Sequence, residues 1–178
     1  MVDIVYDIPD VKETTAKHTL AVLVDNEFGV LARVIGLFSG RGYNIESLTV
    51  AEVEHDKKLS RITVVTSGNE IVIEHIKRLL ERMVPVYKVN DMTVDGPHVE
   101  RELALVKVKG AGPDRSEALR IADIFRARSV DASHESFVFE ITGTSEKVDA
   151  FIDLMRPLGM IETVRSGVVA IARGKKKK

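Results

Sequence analysis

Cysteine is absent from this chain, and aromatic residues are scarce. The 178 residues include no cysteine, which excludes disulfide bonds, a thiolate nucleophile and cysteine-ligated metal sites. Hydrophobic residues make up 44% of the sequence and aromatic residues only 5%, so valine, isoleucine and leucine must fill most of the core. Valine and isoleucine favour pleated surfaces, which is typical of proteins rich in β-structure.

The sequence also lacks an excess of either charge and lacks a long apolar run. The net charge is −1, which gives no general attraction to nucleic acid or to an anionic membrane. No stretch approaches the roughly 20 apolar residues of a membrane span. Residues 1–18 lack the basic region and apolar stretch of a signal peptide. We therefore expect no nucleic-acid partner, no membrane partner and a cytoplasmic location.

The order of predicted elements repeats along the chain. The elements predicted in the first half are strand 18–24, helix 29–40, strands 44–54 and 59–67, helix 70–83 and strand 84–94. Those predicted in the second half are strand 102–109, helix 114–127, strands 129–134 and 136–143, helix 145–156 and strand 160–172. Each half reads βαββαβ, so we predict an α+β fold of two tandem ferredoxin-like sandwiches.

Residue spacing underlies these predictions. Ile73, Ile76 and Leu80 recur on one helical stripe. Phe137 and Ile141 belong to a stretch that alternates as a strand does, and the hydroxyl-bearing Ser145 just after it predicts a helix N-cap.

The duplicated pattern divides the chain into five parts. We predict an N-terminal extension at 1–17, a first domain at 18–95, a polar linker at 96–101, a second domain at 102–173 and a disordered lysine tail at 174–178. Several strands are apolar on both faces, as Leu20 to Val24 illustrate. A ferredoxin-like sheet has helices on one face only, so we expect a partner chain to cover the other face or an edge.

The loop after the first strand has the composition of a small-molecule site. A glycine at a helix start, Gly29, lets another group approach the backbone, and the free N–H groups of a first helical turn suit a carboxylate. Asn26 and Asn44 each offer donors and acceptors that could hold an ammonium group. The three residues could therefore bind an amino acid. Asparagine and glycine are also ordinary turn residues, so the pattern alone favours a simple turn.

A long motif decides between these interpretations. The segment from Asn26 to Ala51 reads NE-x-G-x-L-x-RVIGLFS-x-RGYNIESLTVA, and it closely resembles the ACT domain of the regulatory (small) subunit of acetohydroxyacid synthase, also called acetolactate synthase. Further matches to that family lie at 59–61, 98–102, 105–107, 124–126, 143–145, 149–151 and 165–169. A generic ACT domain would not supply the matches in the second half.

The resemblance implies a non-catalytic subunit that activates a catalytic subunit and confers feedback inhibition by valine or another branched-chain amino acid. It implies a homodimer with two first-domain sheets side by side and the effector sites at their contact. Thiamine diphosphate, Mg²⁺ and FAD are expected on the catalytic subunit and no cofactor in this chain. The residues that the resemblance makes candidates for effector binding are Asn26, Gly29, Val30, Leu31, Asn44, Ile45 and Ala51.

Two other functions stay open at the level of sequence. One is a free-standing ACT amino-acid sensor with a different client, against which the second-half motifs argue. The other is an enzyme with an unrecognised site, although the sequence has no nucleophile motif and its five histidines have no metal-binding spacing. An RNA-binding sandwich would carry stacking aromatics on its central strands, where this chain has Ile62, Val64 and Thr66.

Overall fold

A computed structural model describes residues 15–54, 56, 58–110, 112 and 114–174. The predicted extension, apart from its last three residues, and the lysines at 175–178 lie outside the described residues. The elements of the first half are β1 (Ala16–Asp25), α1 (Val30–Ser39), β2 (Ser47–Glu54), β3 (Leu59–Gly68), α2 (Glu70–Glu81) and β4 (Val86–Asp91).

The first sheet is antiparallel, with strand order β2-β3-β1-β4. Side chains alternate across β1, so Leu20, Val22 and Val24 face the two helices and are almost fully buried. Phe38 of α1 and Ile76 of α2 complete the centre of this core, both at 0% exposure. The N-terminus of α2 is capped by Asn69, whose side chain accepts a hydrogen bond from the Val72 N–H at 2.8 Å.

The second half repeats the arrangement. Its elements are β5 (His98–Lys109), α3 (Asp114–Phe125), β6 (Arg128–Ala132), β7 (Ser136–Gly143), α4 (Ser145–Met155), a 3₁₀ turn (Arg156–Leu158), β8 (Met160–Arg165) and β9 (Val169–Ala172). The main strand order is β6-β7-β5-β8, and β9 pairs with the first residues of β5. Phe139 and Phe151 pack edge to face in the second core. The predicted α+β fold of two βαββαβ units is confirmed.

The junction between the two units differs from the prediction. Residues 98–101, expected within a linker at 96–101, form the start of β5 and pair with β9. The predicted strand 160–172 is two strands, because the chain turns at 166–168, where Gly167 adopts a left-handed φ of 82°. The last strand therefore departs from the line of β8 and runs beside the beginning of β5.

This ribbon of β5 and β9 covers part of the first sheet. On the face away from the helices, Ala21 of β1 and Met92 are buried together with Ala170 of β9. The chain's own last strand therefore covers part of the face for which we expected a partner chain. Cover of the remaining face or of an edge by a partner chain stays a prediction. The burial of Ala21 on this face of β1 is thus explained by contact with another part of the same polypeptide.

Candidate effector site and domain junction

The loop at 26–29 connects β1 to α1 at one end of the first sheet. The backbone N–H of Asn26 donates to the carbonyl of Lys58 at 2.7 Å, which fixes the loop against the start of β3. Gly29 has a left-handed φ of 84° and precedes the first residue of α1. A glycine has no side chain with which to cap the helix, so the first-turn N–H groups have no side-chain cap.

Open space surrounds Gly29. A Cβ built on this residue meets no atom within 4 Å, so its backbone conformation, not crowding, requires glycine. Glu27 and Arg33 form an exposed ion pair at 2.5 Å beside the loop. The helix start thus combines a positive dipole end with room for a small anionic group.

Asn44 lies at the opposite end of the sheet. Its carbonyl accepts a hydrogen bond from the Thr66 hydroxyl at 2.6 Å, and Thr66 pairs with His18 in the β1–β3 ladder. His18 precedes Asn26 by eight residues, which corresponds to about 26 Å of extended strand. The two asparagines therefore lie too far apart within one chain to contact the same amino acid.

The remaining predicted residues divide between these ends and the sheet edge. Val30 is 3% exposed, so its side chain belongs to the first core beneath the loop. Ile45 is half-buried beside the same core, next to Asn44. Leu31 on α1 and Ala51 on β2 are exposed. The structure thus brings Asn26 and Gly29 together and separates them from Asn44; binding of an effector by these residues stays a prediction.

A contact that the sequence analysis did not single out joins the two domains. The Thr49 hydroxyl of β2 donates to the carbonyl of Val168 at 3.0 Å, and the N–H of Val168 donates to the Ser47 hydroxyl at 2.8 Å. One guanidinium nitrogen of Arg61 on β3 donates to the carbonyl of Ala170 at 2.6 Å. We call these three residues of the first sheet, together with residues 167–170, the junction clasp.

Gly167 permits this close contact. A Cβ at this position would lie 2.8 Å from the Ser47 hydroxyl and 2.9 Å from a methyl carbon of Thr49. Burial lowers the pKa of Arg61, which is the cost of desolvating this cation at the junction. Sequence signals for these residues existed, since Arg61 and Gly167 both fall in segments matching the family, but nothing in the sequence indicated that they meet.

A polar cleft of about 410 Å³ lies beside the clasp. On the side of the first sheet, Lys17 pairs with Glu46 at 3.1 Å. On the other side, Arg165 contacts Glu102 at 2.7 Å and Asp149 at 2.6 Å. The hydrogen bonds from Arg165 hold the pKa of Glu102 below its usual value and outweigh burial, which acts to raise it. The charges of this cleft are therefore largely neutralised by one another.

Membrane-spanning helices and clustered metal ligands are both absent from the described ranges. Within them, no helix is long and apolar enough to cross a bilayer. Nor do those residues contain a group of three or more histidine, cysteine, aspartate or glutamate side chains arranged to hold a metal ion.

Comparisons with known proteins connect this geometry to a family. A family model described as the small subunit of acetolactate synthase matches residues 101–174, and one described as an AHAS small subunit-like ACT domain matches residues 20–88. The probable acetolactate synthase small subunit of Archaeoglobus fulgidus is 50% identical, over 90% of this chain and 99% of its own length. The acetolactate synthase isozyme 3 small subunit of Escherichia coli is 46% identical, over 90% and 98%.

A solved structure agrees with these sequence matches. The crystal structure of the acetolactate synthase small subunit from Thermotoga maritima superposes with a TM-score of 0.82 at 38% identity, covering 90% of this chain and 99% of that one. The family model for the second half and near-complete coverage of both relatives confirm the resemblance seen in the sequence. This chain belongs to the family of acetolactate synthase small subunits.

Proposed function

We propose that this chain is a regulatory subunit that binds the catalytic subunit of acetolactate synthase, raises its activity and makes it sensitive to valine or another branched-chain amino acid. The catalytic subunit would perform the chemistry, carrying thiamine diphosphate, Mg²⁺ and FAD, in the cytoplasm. Family membership supports this proposal over a free-standing sensor with a different client. The effector site is inferred from the positions of Asn26 and Asn44, which lie at opposite ends of the first sheet. One amino acid can contact both asparagines only if two chains contribute to the site.

A homodimer resolves this separation. Among the described residues β2 is an edge strand of the first sheet, with Val50 and Val53 about half exposed. Edge strands pair readily with another chain, and a two-fold axis would pair β2 with its copy antiparallel. The start of each β2, next to Asn44, would then lie near the far end of the partner's sheet, which holds the loop at 26–29.

The helix beside this edge supports the same arrangement. Leu31 and Ile35 are four residues apart on α1 and lie on one helical face. Both are more than one-third exposed, so they are available for contact with another chain. In the proposed dimer they would line the contact, with the effector carboxylate at the α1 start of one chain and its ammonium group near Asn44 of the other.

The effector acts by preferring one arrangement of the two chains. It can shift that equilibrium only by its difference in affinity between the arrangements, which is commonly about 1–3 kcal/mol. A site that spans two chains is suited to this role, because any change in the dimer contact alters the distance between its two halves.

A subunit-mixing experiment tests the composite site. Asn26→Ala and Asn44→Ala should each abolish binding of valine, leucine and isoleucine measured by calorimetry. When the two variants are co-expressed, each mixed dimer regains one site with both asparagines, so about one-quarter of all sites should recover. No recovery in verified mixed dimers would mean that the site does not combine the two chains in this way.

Reconstitution tests the regulatory role itself. The purified chain with pyruvate, thiamine diphosphate and Mg²⁺ should form no acetolactate. Addition to its catalytic subunit should raise turnover above that of the catalytic subunit alone, and the effector should reverse this gain. Substantial acetolactate formation by the isolated chain would falsify the assignment as a non-catalytic subunit.

A further inference from the structure

We infer that the junction clasp transmits effector occupancy from the first domain to the second. This inference rests on the proposed function, because it concerns the structural consequence of effector binding. Its physical basis is that β2 takes part in both places: it starts three residues after Asn44, and two of its side chains hold Val168.

The first step is the connection between the effector site and β2. The carbonyl of Asn44 is bound by Thr66, and the N–H of Glu46 donates to the carbonyl of Val65 at 2.8 Å. Both contacts are to β3, so the backbone at 44–46 is fixed to the sheet directly before β2 begins. If a bound ligand displaces Asn44, the start of β2 should move with it, because the segment 44–46 is not a flexible loop.

The second step is the contact between β2 and the second domain. Ser47 and Thr49 lie on the same face of β2, two residues apart, and bind both backbone polar groups of Val168. The Val168 side chain is 4% exposed, which shows how closely this segment is held. Because Gly167 has no Cβ to separate the surfaces, the backbone at 167–168 lies directly against β2, where a shift of one segment alters its contacts with the other.

The third step leads from the clasp into the second domain. Ser166 is fixed on β5, because its N–H donates to the carbonyl of Leu103 and its hydroxyl accepts from the Leu103 N–H. The preceding residue, Arg165, is bonded to Glu102 on β5 and to Asp149 on α4. A shift of residues 167–168 is thereby communicated to a helix and to the central strand of the second sheet.

The test separates effector binding from its consequence. The double variant Ser47→Ala, Thr49→Val removes the clasp hydroxyls while preserving side-chain size. The matched control is Ser129→Ala, Thr142→Val, which changes the same residue types at exposed positions on β6 and β7. Calorimetry with valine, leucine and isoleucine gives the dissociation constant, and the reconstituted enzyme gives the maximum inhibition at saturation.

We expect the clasp variant to bind the amino acid within about threefold of the wild type and to lose more than half of the maximum inhibition, since only the transmitting contact changes. Hydrogen exchange provides a readout without the catalytic subunit. The amino acid should alter amide exchange at residues 166–172 in the wild type and in the control, and should leave it unchanged in the clasp variant.

The outcomes are distinguishable. If the wild type binds none of the three amino acids, the proposed function fails before the clasp is tested. If the clasp variant binds normally and retains full inhibition and the wild-type exchange response, the inference is overturned. If it loses binding instead, the clasp shapes the pocket and does not transmit, which also overturns the inference.

A steric variant provides an independent check. Gly167→Ala introduces a methyl group against Ser47 and Thr49 and should uncouple inhibition from binding in the same way. Combining it with Ser47→Ala removes the closest clash but also one clasp hydroxyl, so the lost inhibition should not return. Thermal melts establish that each variant is folded, and Ser47→Ala, Thr49→Val remains the decisive variant if Gly167→Ala does not fold.

Discussion

Arg165 of β8 donates two parallel hydrogen bonds, each 2.7 Å long, to the carboxylate of Glu102 on β5. This bidentate geometry is the strongest form of the arginine–carboxylate pair. Glu102 is 4% exposed, and the Ser145 hydroxyl adds a third bond to its carboxylate at 3.2 Å. The pair joins the second sheet to the start of α4 directly beside the junction clasp.

Breaking this pair should destabilise the chain strongly. Arg165→Ala leaves the buried carboxylate of Glu102 without its cation, at a cost on the order of 3 kcal/mol. The paired variant Arg165→Leu, Glu102→Leu should be much closer to the wild type, because no charge is then left unpaired. Chemical denaturation of the two variants measures the difference, and equal losses would contradict this account.

The same pair should make stability depend on pH in the acidic range. The pKa of Glu102 is lowered in the folded chain from an ordinary value of 4.5. Its contribution is therefore fully present above that value and is lost as the pH falls through the lower folded pKa. Glu102→Gln should flatten this part of the curve of melting temperature against pH.

The control for this pH dependence is Glu117→Gln. Glu117 also has a pKa lowered by its hydrogen bonds to an arginine, in this case Arg120 on the exposed surface of α3. Solvent screens such a pair, so its removal should change the acidic limb far less than Glu102→Gln. Equal effects of the two variants would mean that burial of Glu102 is unimportant.

Substitution of Gly29 by aspartate should abolish feedback inhibition while leaving activation intact. The new carboxylate would occupy the open space at the start of α1 and repel the carboxylate of the effector. The left-handed φ of 84° adds strain of about 1–3 kcal/mol, so Gly29→Ala is needed as the uncharged control. Inhibition curves with valine measure the effect, and a wild-type curve for a folded Gly29→Asp would place the carboxylate elsewhere.

The first domain should retain part of the function when the chain ends at Asp95. All residues of the first core lie before this point, so the fragment should fold. We expect partial activation and loss of most inhibition, because the clasp is absent. The fragment also exposes Ala21 and Met92, so its solubility should fall. The control ends at Gly174; full inhibition by the shorter fragment would show that the second domain is dispensable for the signal.

The end of α3 offers a position for stabilisation. Arg126 closes this helix with a left-handed φ of 55°, a conformation that costs a residue with a Cβ roughly 1–2 kcal/mol. Arg126→Gly should therefore stabilise the fold by about 1 kcal/mol in chemical denaturation. The control Arg128→Gly, at the first residue of β6, relieves no positive φ and removes the ion pair with Glu140, so it should not stabilise the fold.

Local signals explain which parts of the fold were predictable from the sequence. The apolar stripe and the cap at Asn69 belong to α2 itself, so the helix begins at Glu70 as expected. The N-cap of α4 is Thr144 and not the predicted Ser145, because two adjacent hydroxyls give the same sequence signal. Such differences of one residue leave the architecture unchanged.

Contacts between distant residues explain what could not be predicted. Thr49 and Val168 are separated by 119 residues, and no periodicity in the chain connects them. The stretch 160–172 is predicted as one strand although Arg165, Ser166 and Gly167 interrupt its apolar residues. The positive φ of Gly167 shows that the chain turns there and that two strands are present. Asn26 and Asn44 lie close in the motif, but helix α1 runs between them, and they lie at opposite ends of the sheet.

Because β5 runs unbroken from His98 to Lys109, its first residues, which pair with β9, continue directly into the second sheet without a flexible tether. Inserting one residue after Arg101 would reverse the orientation of every side chain on one side of the insertion relative to the other. Glu102 would turn away from Arg165, or the β9 pairing would shift out of register. Two inserted residues would restore the alternation and move the domains apart by about 7 Å. The length of this segment therefore sets which side chains face each way as well as how far apart the two ends lie. Insertions of an even number of residues should be tolerated better than insertions of an odd number.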